Sequence, residues 1–173
     1  MRAILTLAGL AIISAPALAD TMEVGVEIPR LNVAEYHRPY LAAWIANPDN
    51  TVAANLAVWY QQERGAEGEG ETWLKDLRQW WRRAGRDLDM PIDGISGPTQ
   101  APGNHSMSFD ADSAALSALE PGDYVLTVEA VREVGGREMV QIPFTLPAKG
   151  TAPVTVSGET ELGAITLTFV DDK

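Results

Sequence analysis

Tyr40-Leu-Ala-Ala-Trp-Ile-Ala46, followed by Asn47-Pro-Asp-Asn50-Thr51 and then Val52-Ala-Ala-Asn-Leu-Ala-Val-Trp-Tyr-Gln61, is the stretch that decides the fold. Successive side chains of a strand point to opposite faces. Tyr40, Ala42, Trp44 and Ala46 therefore share one face of the first run, and Leu41, Ala43 and Ile45 share the other. Asn47-Pro-Asp-Asn50 is turn chemistry. In the second run Leu56, Val58 and Tyr60 oppose Ala57 and Trp59, which makes it the hairpin partner of the first.

The same reading extends outward. Residues 22–28 alternate around Val24, Val26 and Ile28, and 105–109 form another short run of strand formers. Residues 123–133 place Tyr124, Leu126, Val128 and Ala130 on one face. Gly135-Gly136 turns the chain into 138–146, and 162–170 provide the last strand. About seven short strands separated by Gly, Pro, Asn and Asp predict an Ig-like antiparallel β-sandwich. No internal repeat or long low-complexity linker divides the chain, so residues 20–173 are expected to form a single domain.

One segment breaks the alternation. Between Gly65 and Gly85 the pattern predicts an amphipathic helix near 72–84, with Thr72 as N-cap. At about 100° per residue, Trp73, Leu74, Leu77, Trp80, Trp81 and Ala84 fall in an apolar arc. Trp73, Leu77 and Trp80 are expected to pack on the sandwich, with Trp81, at the edge of the stripe, the one expected to be partly exposed. Lys75, Arg78, Arg82, Arg83 and Arg86 are five of the twelve basic residues that follow Arg2, with only Asp76 among them. A stripe of one sign in an acidic chain reads either as a docking surface for a phosphate or an acidic partner, or as an offset to Glu67, Glu69 and Glu71.

The N-terminus reads as an export signal. Met1-Arg2 precedes an apolar run that is too short to span a bilayer, and Ala17-Leu18-Ala19 forms an A-x-A cleavage site before Asp20. Cleavage there would remove residues 1–19 and leave 154 of the 173, enough for a sizeable core. The net charge is −11; losing Arg2 with the signal takes it to −12. Such a chain has no general electrostatic attraction for nucleic acid or anionic lipid. With no cysteine, disulfides, thiol chemistry and Cys-ligated clusters are excluded.

Catalytic motifs are poor. Gly94-Ile-Ser96-Gly-Pro98 misses G-x-S-x-G at its last position, and Gly65-Ala-Glu-Gly68-Glu-Gly70 is not a phosphate-binding loop. His37 and His105, the only histidines, have no short metal-ligand spacing. No metal site and no catalytic set is expected.

Asp93-Gly-Ile-Ser96-Gly97-Pro98-Thr99 stands out. It resembles the Asp-x-x-Ser/Thr-Gly-Ala-Ser/Thr signature on which bacterial periplasmic flavin transferases esterify FMN to a hydroxyl. The match holds at Asp93, Ser96, Gly97 and Thr99 and departs at Pro98, where Ala is usual. The same residue types also make an ordinary turn. His37-Arg38-Pro39-Tyr40, Trp73-Leu-x-Asp76-Leu77-Arg78-x-Trp80-Trp81 and Pro121-Gly122-x-Tyr124-x-Leu126-x-Val128 extend the likeness over nearly the whole mature chain. Together they resemble a family of predicted periplasmic bacterial proteins known as a domain of unknown function.

The resemblance implies a periplasmic carrier of covalent FMN, with Thr99 as the attachment residue. Of the other cofactor-site residues, Ser96 would contact the flavin phosphate, Asp93 would orient the loop or assist the transferase, and Gly97 would let the backbone enter the transferase cleft closely. The implied partners are a periplasmic flavin transferase and membrane or periplasmic redox proteins, and the implied role is electron transfer rather than self-contained catalysis. Trp44, Trp59 and Trp81 are the candidate stacking partners for the flavin ring. Arg78, Arg82, Arg83 and Arg86 are the candidate docking residues. A second reading of the same chain is a non-redox Ig-like binding or assembly module.

Overall fold

A computed structural model describes residues 21–63, 68 and 70–171. The expected signal peptide, residues 1–19, and its cleavage site lie outside the described residues. The strands are β1 (Thr21–Ile28), β2 (Tyr40–Ala46), β3 (Val52–Tyr60), β4 (Ser96–Pro98), β5 (Gly103–Asp110), β6 (Gly122–Val131), β7 (Arg137–Leu146), β8 (Val154–Ser157) and β9 (Ala164–Val170). They form two sheets, ordered β5-β1-β9-β8 and β4-β3-β2-β6-β7. The chain is mainly β, as its alternation requires.

Val24, Val26 and Ile28 of β1 meet Leu41, Ala43 and Ile45 of β2 and Leu126, Val128 and Ala130 of β6 in one apolar core. That core joins the facing sides of the two sheets. The β2–β3 register shifts at two points, and the first breaks the alternation of β3 at Leu56. Ala57 faces Ala43 and Asn55 faces Trp44 across the β2–β3 ladder, which leaves Leu56 as an extra residue. This bulge turns Leu56 inward beside Ala57, so both join the inner core.

The other face of β2 and β3 is buried as well. Ala42, Trp44, Ala46, Val58 and Tyr60 pack under Leu74, Leu77 and Trp80 in a second core. The β2–β3 part of the five-stranded sheet is thus covered on both sides.

The covering segment differs from the single helix expected near 72–84. It consists of a 3₁₀ stretch at Gly70–Asp76, an α-helix α1 at Arg78–Arg83 and a 3₁₀ turn at Gly85–Asp87. Thr72 does not cap it, and Leu77 stands at the N-cap position of α1 with no capping side chain of its own. Its orphan N–H groups are satisfied from the sheet below. The Glu129 carboxylate on β6 accepts the N–H groups of Gln79 at 3.0 Å and Trp80 at 2.9 Å. The 3₁₀ geometry has three residues per turn, so Leu74, Leu77 and Trp80, spaced by three, are the fully buried set. Trp73 drops out of the stripe and is 41% exposed, contrary to expectation. Trp81 is only half-buried against the second core.

Trp80 fixes the end of this layer. Its indole N–H donates to Asn55 at 2.9 Å, and a Cβ on Gly85 would come within 2.5 Å of its ring. The helical layer also corrects the expectation of purely antiparallel pairing. β4 runs parallel to β3, with Val58 opposite Ser96 and Tyr60 opposite Pro98. A parallel neighbour needs a crossover connection, and residues 61–95 provide it. The remaining ladders are antiparallel.

Candidate functional site

Sequence reasoning drew attention to residues 93–99, and the structure makes them a turn leading into an edge strand. Gly94 adopts φ +72°, in the left-handed region that a Cβ disfavours. The Ile95 carbonyl accepts Val58 N–H at 2.9 Å, which starts the parallel pairing with β3. The Ser96 hydroxyl accepts the Ile92 N–H at 2.9 Å, so it is tied to its own turn. Gly97 lies against Trp59, where a Cβ would stand 3.1 Å from ring carbon Cδ1. Asp93 and Pro98 are exposed, while Thr99 is half-buried. Thr99 directly follows β4, where the chain leaves one sheet for β5 of the other.

Thr99 lines a cleft of about 780 Å³. Tyr36, Tyr40 and Trp73 contribute aromatic surface, and Arg38, Gln61 and Asp76 contribute polar groups. The volume is in the range of small-molecule sites, roughly 300–1,000 Å³. Gly70 on its wall sits tightly against Gln61 and beneath Tyr40, whose hydroxyl donates to the Gly70 carbonyl at 3.2 Å. Burial raises the pKa of both Tyr36 and Tyr40 above the ordinary phenol value, so each remains a neutral donor. The Tyr36 hydroxyl is buried and has no hydrogen-bond partner among the described residues.

The far wall is held by charge. Arg132 donates to Glu161 through Nε at 2.8 Å and Nη2 at 3.1 Å, and its guanidinium lies over the Tyr36 ring. The Gly136 N–H donates to the same Glu161 at 2.7 Å. His37 contacts Glu35 at 3.1 Å and Glu133 at 3.3 Å. Between Glu133 and Gly136 the hairpin places Val134 on the cleft at φ +53° and 78% exposed. A β-branched residue in that region is strained, by about 1–3 kcal/mol. His105, the other histidine, is elsewhere. Its ring meets Trp59 edge-on at 5.7 Å, and its Nε2 lies 2.8 Å from the Ala101 carbonyl.

The chain matches the family model described as "Predicted periplasmic protein (DUF2271)" over residues 21–164. The chain belongs to the DUF2271 family. Comparison with curated proteins and with solved structures gives no match. The description of DUF2271 as predicted periplasmic agrees with the export signal read from the N-terminus. Among the described residues no helix is long and apolar enough to cross a membrane.

Two parts of the DUF2271 chain lie apart from the expectations for a site. The candidate ring partners Trp44, Trp59 and Trp81 do not line the cleft; Trp44 is fully buried in the second core and Trp59 packs in the first. The tryptophan that does line the cleft, beside Tyr36 and Tyr40, is Trp73, which the helical period had assigned to the interior. Arg78, Arg82, Arg83 and Arg86 are all exposed on the helical layer. Arg86 lies 3.5 Å from Asp87, and Arg83 donates to Gln79. Arg38, Arg132 and Val134 were not marked as site residues. The only local signal was the His37-Arg38-Pro39-Tyr40 segment.

Proposed function

We propose that this DUF2271 chain is an extracytoplasmic carrier of FMN esterified to Thr99, acting in electron transfer between membrane and soluble redox proteins. The observation that carries the reading is Thr99 itself. Its residue lines a cleft sized for a small molecule, at the end of a surface segment that matches the acceptor signature at Asp93, Ser96, Gly97 and Thr99. The cleft's aromatic walls, Tyr36, Tyr40 and Trp73, suit a planar ring such as a flavin better than an inorganic ion.

Attachment makes a phosphodiester, so the flavin donor must be an activated diphosphate such as a flavin dinucleotide. The Thr99 Oγ forms a bond to the flavin-side phosphorus, the P–O–P bond breaks and a nucleoside monophosphate leaves. The hydroxyl proton passes to a base of the transferase. This chain's part is presentation: Gly94 turns the loop, Ser96 braces it, and Gly97 lets it lie flat on Trp59. FMN, when bound, supplies one- and two-electron transfer.

Arg78, Arg82, Arg83 and Arg86 serve in this reading as the docking face for an acidic redox partner or transferase. The same four exposed arginines also favour a second reading, a non-redox Ig-like module that binds an acidic partner. The Ig-like assignment draws support from the strand order, in which β1 lies between β5 and β9 and β2 between β3 and β6. Co-expression with an active periplasmic flavin transferase, read by flavin fluorescence of the denatured band, separates the two. A fluorescent band is expected; a dark band leaves the non-redox module.

A further inference from the structure

We infer that the cleft beside Thr99 is a seat for the isoalloxazine ring of the attached flavin, with Trp73 as one wall and Tyr36 as a hydrogen-bond donor to the ring. This rests on the Thr99 reading, but it adds a claim that attachment does not require. A phosphoester tether alone would allow the ring to remain in solvent.

Three observations support a seat. First, Trp73 lines the cleft and is 41% exposed although its neighbours Leu74, Leu77 and Trp80 are buried; Lys75 Nζ lies 5.5 Å from its ring centroid. A large exposed aromatic on a cleft wall is a stacking surface for a planar ring. Second, the Tyr36 hydroxyl is buried without a partner among the described residues. A buried polar atom without a partner is costly, and a turn of the Tyr36 side chain toward the cleft it lines would let a ring carbonyl or ring nitrogen satisfy it. Third, the charges favour an uncharged guest. Arg132 is neutralised by Glu161 and His37 contacts Glu133, so the other charged side chains of the lining among the described residues are one cation, Arg38, and one anion, Asp76. The phosphate then stays at the Thr99 end and the neutral ring enters. Arg38 and Gln61 provide donors for the ring's polar edge.

The test uses full-length mature protein loaded by co-expression with a flavin transferase. Loading at Thr99 is measured by mass, and the ring's environment by flavin emission and iodide quenching. Folded wild type is expected to be dimmer and several-fold less quenched by iodide than the same sample in denaturant. Trp73→Ala, at an exposed position, is expected to load equally and to emit more strongly. Tyr36→Phe keeps the aromatic wall and is expected to alter the flavin absorption band without changing loading. A loaded wild type whose emission and iodide quenching match the unfolded sample overturns the seat and leaves the attachment standing. Unchanged emission in Trp73→Ala overturns the stacking role. Absence of flavin on Thr99 overturns the seat and the attachment together.

Discussion

Glu129 on β6 and Arg137 on β7 lie 2.7 Å apart, and the same carboxylate receives the first N–H groups of α1 from Gln79 and Trp80. Glu129 is completely buried, whereas Arg137 reaches the surface. One carboxylate thus locks the helical layer onto the five-stranded sheet. Glu129→Ala leaves the helix end and the arginine without their partner and is expected to cost about 3–5 kcal/mol. Glu129→Gln keeps one acceptor oxygen and is expected to cost about 1–3 kcal/mol. Urea unfolding measures both; a Glu129→Ala protein as stable as wild type would contradict the locking role.

Glu138 gives the fold an acid limit. Burial raises its pKa, but N–H donors from Glu159, Leu162, Thr160 and Glu161 together outweigh burial and hold it below the ordinary 4.5. A carboxyl with a depressed folded-state pKa contributes stability above its unfolded value, and that stability is lost as pH falls through the folded value. The melting temperature should therefore drop steeply below about pH 4.5. Glu138→Gln should lower the plateau at neutral pH and flatten that acid limb. An equally steep limb in Glu138→Gln would assign it to other carboxylates.

Val134 pairs strain with exposure. Asn tolerates the left-handed region better than a β-branched residue, so Val134→Asn should gain about 1 kcal/mol of stability. In the flavin-loaded protein it should also make the ring more accessible to iodide, because an apolar cleft contact is lost. Calorimetry and quenching read the two effects separately. Lower stability in Val134→Asn would show that the hairpin is not strained there.

The arginine face is testable by charge reversal. Arg78→Glu with Arg82→Glu should slow flavin loading at low salt, and the difference should shrink as ionic strength rises, since exposed charges are screened over about 8–10 Å. Both side chains are exposed, so the melting temperature should barely move. Loading rates that match wild type at low salt would reduce the stripe to a solvated face.

Much of this fold was legible because strand alternation is a local signal. β2 was read to its observed bounds, and β1, β3, β6 and β7 to within two residues. The misses have physical causes. The edge strand β4 is three residues of turn chemistry whose pairing comes only from β3, and β8 is four exposed residues with no core face to mark it. The helical layer was misread because its cap, Glu129, lies some fifty residues away, and no local pattern could announce it. That error placed Trp73 in the interior, whereas the structure puts it on the cleft. The candidate segment 93–99 drew notice through its motif, but the residues that line the cleft with Thr99, among them Tyr36, Arg38 and Val134, come from distant turns and have no shared spacing.

The central claim is that Thr99 carries FMN. Its most direct test is intact mass and peptide mapping of wild type, Thr99→Ala and Thr99→Ser after co-expression with an active flavin transferase. Wild type should carry one flavin phosphate on the peptide containing Thr99, Thr99→Ser should retain part of it, and Thr99→Ala should carry none while melting as wild type does. Flavin on Thr99→Ala, or none on wild type beside an active transferase, would contradict the account.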